Sequence, residues 1–105
     1  MTTYVFIVRK ISLYTGSRTG KGVWTMLDAN VVGSVLRRLR EERGLSQEIV
    51  SGLAGIGRTH LSAIERGERK PTLETFYRIG EALHMRPSAV LAEIEAELET
   101  AHRPV

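Results

Sequence analysis

The sequence predicts an all-α domain of five helices, on three observations. Apolar residues recur at three- and four-residue spacing, which is typical of a helix with one buried face. The clearest such run is formed by Val32, Val35, Leu36 and Leu39. Ser46 and Thr72 precede further apolar runs and are good N-cap residues. Gly44, Gly55 and Gly67 follow such runs, where helices commonly end in a left-handed residue.

Composition fits one small domain of an ordinary globular protein. The chain has 105 residues, of which 42% are hydrophobic and 26% are charged, so it can form a core. It has no cysteine, which excludes disulfides, thiolate catalysis and cysteine-based zinc sites. The longest apolar run, residues 4–8, is too short for a membrane span or a signal peptide. We therefore expect a cytoplasmic protein that does not enter a membrane.

The net charge of +3 is unevenly distributed along the chain. Residues 31–70 carry eight basic and five acidic side chains, whereas residues 71–105 carry three basic and six acidic ones. Basic charge around the middle of the chain favours a polyanionic partner there. A mixed solvated surface explains so small an excess equally well, so charge supports the functional interpretation without deciding it.

Residues 1–27 differ from the rest and are interpreted as an N-terminal arm. YVFIVRKISLY is rich in β-branched and aromatic residues, and VWTML follows it after the loop TGSRTGKG, so a short β-hairpin or an extended arm is predicted. A second hypothesis is that translation begins at Met26 and that the preceding residues are not native. Lys21 and Gly22 are encoded by the purine-rich AAR-GGN, which ends three codons before Met26, where a bacterial ribosome-binding site would lie.

Residues 28–101 contain the predicted helices. Asp28 or Asn30 can cap the first, and Pro87 begins the fifth at a position that tolerates proline. The second and third occupy residues 46–67, and residues 102–105 are expected to be a frayed tail. The fourth follows Thr72, and its inward-facing residues are predicted to be Leu73, Phe76, Tyr77, Gly80 and Leu83.

Residues 46–67, SQEIVSGLAGIGRTHLSAIERG, are the most informative stretch. The pattern predicts two short helices joined at a glycine turn, the later of which buries Leu61 and Ile64. Its opposite face presents Arg58, Thr59, Ser62 and Arg66. A helix that presents arginine and small hydroxyls, braced by a shorter helix, is typical of a helix-turn-helix that enters the DNA major groove. An ordinary helical hairpin within a bundle is the alternative.

The segment LRRLREERGLSQEIVSGLAGIGRTHLSAIERGERKPTLETFYRIGEAL resembles the lambda-repressor-like, Cro/cI-type (XRE) helix-turn-helix family. The resemblance covers about residues 31–98, and its elements RGLSQ, IERG and KPTLET are specific when they occur together at this spacing. It implies a five-helix lambda-repressor-like DNA-binding domain. It also implies a transcriptional regulator, either a repressor or an autoregulator. Such a protein binds double-stranded DNA as a homodimer and needs no cofactor.

The resemblance assigns roles to individual residues. Arg58, Thr59 and Ser62 match positions that read base edges, and Ala63 matches a position where only an apolar touch, as on a thymine methyl, is expected. The residues matched to phosphate binding are Gln47, His60, Arg66, Arg69 and Lys70. For His60, a simple surface position on the helix is an equal alternative. Arg40 and Glu65 match a structural ion pair between the first helix and the reading helix.

The sequence departs from the family pattern at three places, and each departure predicts a local effect. Gly57 replaces the usual serine or threonine cap of the reading helix, and Gly52 weakens the second helix by about 1 kcal/mol relative to alanine. Ile49 and Leu53 stand where relatives usually carry charged residues. They form an exposed apolar spot, and we expect the N-terminal segment or a protein partner to cover it.

The fifth helix is a candidate dimer interface. Its residues Leu91, Ile94 and Leu98 have the spacing of a helical seam, although packing into the core is the default for such a row. The glutamates beside them are interpreted as a solvated face that stays away from DNA.

Nothing in the sequence predicts an enzyme, a cofactor or a metal site. The three histidines, His60, His84 and His102, lack metal-ligand spacing, and no nucleophile–base pair is apparent. The loop GSRTGKG lacks the spacing of a phosphate-binding P-loop. Within the regulator class, an antitoxin or a restriction–modification controller remains an alternative. A protein-binding adaptor that does not read DNA is the alternative from another class.

Overall fold

The structure is a computed structural model that describes residues 27–101, and within this range the backbone forms five helices. They are α1 (Ala29–Glu42), α2 (Gln47–Ala54), α3 (Arg58–Glu65), α4 (Leu73–Ala82) and α5 (Pro87–Ala101). The predicted all-α, five-helix domain is therefore confirmed. The predicted hairpin or arm, the proposed start at Met26 and the frayed tail at 102–105 lie outside the described residues.

Side-chain caps define where three of the helices begin. Asp28 accepts a hydrogen bond from the backbone N–H of Asn30 at 2.8 Å, so the first helix is capped by Asp28. Ser46 accepts from the N–H of Ile49 at 3.1 Å, as its N-cap role predicts. Thr72 caps α4 in the same way. Gly57 gives α3 no side-chain cap, so the first amides of this helix lack that partner.

The turn between α2 and α3 depends on Gly55, whose φ of 72° lies in the left-handed region. The N–H of Gly55 bonds to the carbonyl of Gly52 at 3.2 Å, and the N–H of Ile56 bonds to that of Ser51 at 3.0 Å. These bonds close the end of α2 and redirect the chain within three residues, because glycine adopts this conformation without a Cβ clash. The short turn fixes the angle at which α3 leaves α2.

One core holds the five helices together. Its members include Leu36 from α1, Val50 from α2, Leu61 and Ile64 from α3, Ile79 and Leu83 from the α4 region, and Val90 and Ile94 from α5, each 1% exposed or less. Gly33 on α1 allows α3 to approach closely, since a Cβ there would lie 2.7 Å from the carbonyl oxygen of Glu65. The apolar face of α3 thus packs against α1, and the opposite face of α3 is exposed to solvent.

The packing bears on two sequence-based placements. Ile94 is 1% exposed and belongs to the core, so it offers almost no surface to a second copy, and Leu98 packs partly against the same core. Leu73 and Tyr77 were expected to face inward but are 83% and 54% exposed. They differ from the prediction because α4 packs against α2 and α5, and these two helices leave both side chains uncovered.

Candidate nucleic-acid interface

A concave groove lies where α1, α2 and α3 meet. Its volume is about 660 Å³. The residues that line it are Arg37, Arg40, Ser46, Gln47, Glu48, Arg58, Ser62 and Arg66. Four of them are arginines, but within the described residues all except Arg58 pair with a carboxylate, so Arg58 is the cation that is left to meet a polyanion.

Arg40, which lines this groove, forms an ion pair with Glu65. Arg40 Nε donates to Glu65 Oε2 at 2.7 Å, and Arg40 Nη2 donates to Glu65 Oε1 at 3.0 Å. The two side chains are only 11% and 3% exposed. Hydrogen bonding to Glu65 raises the pKa of Arg40, which keeps the guanidinium charged. The pair expected from the family pattern is present, and it ties the C-terminal end of α3 to α1.

The same carboxylate holds Gln47 at the start of α2. Gln47 Nε2 donates to Glu65 Oε1 at 2.9 Å, and Arg40 Nη1 donates to the carbonyl of Leu45 at 2.8 Å. The side chain of Gln47 is therefore turned toward Glu65. The backbone amides in the first turn of α2 have no partner within the helix, and the positive end of the helix dipole faces the groove. This end of α2 can therefore bind a phosphate through its backbone.

The outer face of α3 carries the predicted base-reading side chains. Arg58 and Thr59 are exposed, and His60 and Ser62 are half-buried. Arg58 makes no hydrogen bond or ion pair within residues 27–101, so its guanidinium has its full set of donors for a ligand. An arginine on an exposed helix face can donate two hydrogen bonds to the O6 and N7 atoms of one guanine.

Ala63 differs from these side chains in its exposure. It is 8% exposed, so it presents little surface and mainly packs against the body of the domain. The expected apolar touch of its methyl group on a base stays a prediction.

Arg66 is exposed at the end of α3 but has partners of its own. Its Nε donates to Glu68 Oε2 at 2.8 Å, its Nη2 donates to Glu68 Oε1 at 3.1 Å, and its Nη1 donates to the hydroxyl of Ser62. Hydrogen bonding between them lowers the pKa of Glu68 and raises that of Arg66, so both groups are ionised at neutral pH. The sequence-based assignment did not anticipate that Glu68 engages a predicted phosphate ligand.

Arg69 and Lys70 follow on the loop between α3 and α4. Both side chains are exposed, and neither forms an ion pair within the described part of the chain. They do not line the concave groove itself, but they extend its positive charge past the end of α3.

Sequence reasoning missed Arg37, Ser46 and Glu48 as residues that line the groove. Arg37 pairs with Glu41 at 3.0 Å and was interpreted only as part of a solvated face. A signal for its position exists, since Arg37 precedes Arg40 by three residues and therefore shares a face of α1 with it.

A second, apolar groove lies on another side of the domain and has a volume of about 240 Å³. It is lined by Leu27, Val32, Lys70, Pro71, Leu73, Phe76, Leu91 and Ile94. Leu91 is 38% exposed at its edge and is the most exposed of the predicted seam residues. We call this surface the apolar groove.

Ile49 and Leu53 remain exposed, at 49% and 64% of their surfaces. No residue in the range 27–101 covers them, and the comparisons with known proteins do not support the expected protein partner at this spot. Within the same range, no cluster of side chains suits a metal ion. None of the described helices is long and apolar enough to cross a membrane.

A five-helix bundle in which an exposed, arginine-bearing helix is braced by a shorter one across a glycine turn defines a helix-turn-helix DNA-binding module. A helix-turn-helix family model matches residues 36–90, which is more than half of the chain, and the protein belongs to this family. Its class is that of DNA-binding transcriptional regulators.

Individual relatives are similar over the same region. The chain is 47% identical over 53 residues to the HTH-type transcriptional regulator y4dJ of Sinorhizobium fredii, a match that covers 50% of this chain and 69% of that protein. It is 34% identical over 62 residues to the immunity repressor protein of Bacillus phage phi105, covering 59% of this chain but only 43% of the repressor.

Among solved structures, the restriction–modification controller protein C.AhdI from Aeromonas hydrophila is similar with a TM-score of 0.59 and 34% identity. That likeness covers 62% of this chain and 98% of the controller. The whole fold of a compact regulator is thus contained within this chain.

Proposed function

We propose that the protein is a sequence-specific transcriptional regulator that places α3 in the DNA major groove. The observation that carries this proposal is the exposed face of α3, where Thr59 lies beside Arg58, which has no carboxylate partner within residues 27–101. Arg58, Thr59 and Ser62 read base edges, because they project from the side of α3 that the core leaves uncovered.

The remaining polar groups position the protein on the DNA backbone. The first-turn amides of α2 at Gln47 approach one phosphate, and Arg66, Arg69 and Lys70 approach others. His60, half-buried on α3, is a further phosphate ligand at the rim of this face. Such contacts carry no sequence information, so the loss of any one of them weakens binding to all duplexes alike.

We further propose that the protein acts as a homodimer formed through the apolar groove. Leu91 and Leu73 are exposed there and Phe76 is half-buried, so this groove offers apolar side chains for a second copy to cover. A two-fold dimer presents two α3 helices to successive major grooves, which predicts half-sites about 10 base pairs apart.

The narrower role of a restriction–modification controller has support in the likeness to C.AhdI, which this chain covers almost completely. The alternative of an adaptor that binds only protein has less support, because the groove beside α3 is lined by four arginines. As a regulator that binds DNA in a bacterium, the protein would act in the cytoplasm and would have no enzymatic role.

The proposal is tested by binding to the DNA immediately upstream of the protein's own gene. A shuffled duplex of the same length and composition is the control, and both are titrated across a salt series. We expect a preference for the native fragment and a steep fall of log K with log salt concentration, since each neutralised phosphate contributes about 0.9 to the slope. A lack of binding to either duplex at low salt would contradict DNA binding.

A further inference from the structure

We propose that Glu68 is an affinity-setting residue of the DNA interface, whose carboxylate competes with a DNA phosphate for the guanidinium of Arg66. This inference rests on the proposed function and names a regulation of the same site. DNA must then displace the Glu68 carboxylate before a phosphate can bind Arg66.

The geometry at Arg66 supports a competitor. The carboxylate of Glu68 takes the Nε and Nη2 donors at 2.8 and 3.1 Å, the two-point arrangement that a phosphate also uses with arginine. The third contact, from Nη1 to Ser62, occupies the hydroxyl of a predicted base-reading residue. Arg66 therefore contacts both the carboxylate of Glu68 and a predicted base-reading residue.

The pair also differs from the exposed arginine–glutamate pairs that form within one helix of the described range. Arg37–Glu41, Arg38–Glu42 and Arg78–Glu74 are spaced four residues apart within one helix and use one carboxylate oxygen each. Arg66 and Glu68 lie two residues apart across Gly67, whose φ of 78° turns the chain so that both carboxylate oxygens face the guanidinium. Arg66 lines the groove beside α3, so this two-point pair lies on the proposed DNA side.

The ion pair therefore lowers the affinity of the protein for every duplex, because all duplexes carry the same phosphates. An arginine that is already neutralised by a carboxylate releases fewer counterions when it meets DNA. Removal of the carboxylate should therefore raise affinity for any sequence and steepen the salt dependence. A residue that only oriented Arg66 would have the opposite effect, since its loss would weaken binding.

The experiment compares Glu68→Gln with the wild-type protein on the upstream and shuffled duplexes across a salt series. We expect Glu68→Gln to bind both duplexes about twofold to fivefold more tightly, which corresponds to the release of one exposed ion pair. We also expect the magnitude of the salt slope to rise by about 1. Both residues are exposed, so the thermal unfolding of the variant should match that of the wild type and shows that it is folded.

Glu42→Gln is the matched control. It removes the same charge and an arginine partner of Arg38, which does not line the groove and keeps its second contact with Glu93. It should leave DNA affinity unchanged. An equal gain in Glu42→Gln would show a general effect of net charge and would overturn the proposal.

A double-mutant cycle with Arg66→Ala separates competition from direct repulsion. We expect the gain from Glu68→Gln to disappear in the Arg66→Ala background, because no guanidinium is left to release. A gain that persists there, no gain in the wild-type background, or weaker binding by Glu68→Gln would each overturn the competitor role while leaving the proposed function intact. If neither the wild type nor Glu68→Gln binds either duplex at low salt, the proposed function fails and this inference fails with it.

Discussion

Arg40 and Glu65, 25 residues apart in the chain, form a two-point ion pair in which the carboxylate is almost wholly buried. Glu65 is the last residue of α3, and Arg40 lies in the final turn of α1. The pair therefore fixes the position of the C-terminal end of α3 relative to α1. Gln47 shares the same carboxylate, so the positions of α1, α2 and α3 all depend on Glu65.

The first prediction is that Arg40→Met strongly destabilises the fold. The variant leaves the Glu65 carboxylate buried without its cation, and breaking a buried pair in this way typically costs about 3–5 kcal/mol. Denaturant unfolding followed by circular dichroism measures the loss. The double variant Arg40→Met/Glu65→Met should recover most of the stability, because it leaves no unpaired charge. A single variant as stable as the wild type would contradict the structural role of the pair.

The second prediction concerns two glycines that lie in helices but have opposite surroundings. Gly33→Ala would place a methyl group against the carbonyl oxygens of Ile64 and Glu65, which are backbone atoms, so α1 and α3 must separate. Overpacking of this kind costs about 1–3 kcal/mol. At the exposed Gly52 a Cβ meets no atom within 4 Å, so Gly52→Ala should stabilise the protein by about 1 kcal/mol through helix propensity.

Both variants add the same methyl group, so a difference between their effects on stability reports the packing around each glycine. Thermal unfolding should move to lower temperature for Gly33→Ala and to higher temperature for Gly52→Ala. Equal shifts in the same direction would be inconsistent with close contact between α1 and α3 at Gly33.

The third prediction is that Leu91→Lys weakens self-association without unfolding the domain. Leu91 is exposed at the edge of the apolar groove, where a charge opposes burial against a second copy. Leu53→Lys is the control, because it makes the same change on the exposed spot of α2. Sedimentation equilibrium should give a weaker dimer for Leu91→Lys only. A weaker dimer for Leu53→Lys alone would place the interface on α2 instead.

The fourth prediction concerns the titration of Glu68. Hydrogen bonding with Arg66 lowers the pKa of this carboxyl, so it should titrate below the ordinary glutamate value of about 4.3. The ion pair is then intact above that value and is lost only as the pH falls through the lower pKa of the folded protein. Carbon-detected NMR of the side-chain carboxyl measures it. In Arg66→Ala the pKa should return toward its ordinary value, and an unchanged pKa would mean that Arg66 does not hold the carboxylate.

Caps, turns and buried helix faces could be predicted from the sequence because they are local. Ser46 bonds within its own first turn, and Gly55 needs only its own backbone conformation, so both predictions were right. The five-helix order followed from such features together. The Arg40–Glu65 pair is not local, and only the resemblance to a known family indicated it.

Burial could not be predicted where a neighbouring helix decides it. Ile94 and Leu91 share one apolar row of α5, but Ile94 lies in the core and Leu91 lies at the surface, because the row does not define which part of it the other helices cover. Ala63 on α3 is buried as well, which its place in the helix-turn-helix pattern did not indicate. The two-point contact of Glu68 with Arg66 depends on the left-handed turn at Gly67, and residue spacing alone does not indicate it.

The most direct test of DNA reading by α3 is selection from a library of random duplexes with the wild-type protein and with Arg58→Ala. The wild type should select a two-fold symmetric sequence with half-sites about 10 base pairs apart. Arg58→Ala should bind that sequence more weakly by about 1–3 kcal/mol and lose preference at one symmetric position, where we expect a guanine. Selection of no common sequence by the wild type, or an unchanged preference at every position in Arg58→Ala, would contradict base reading by this helix.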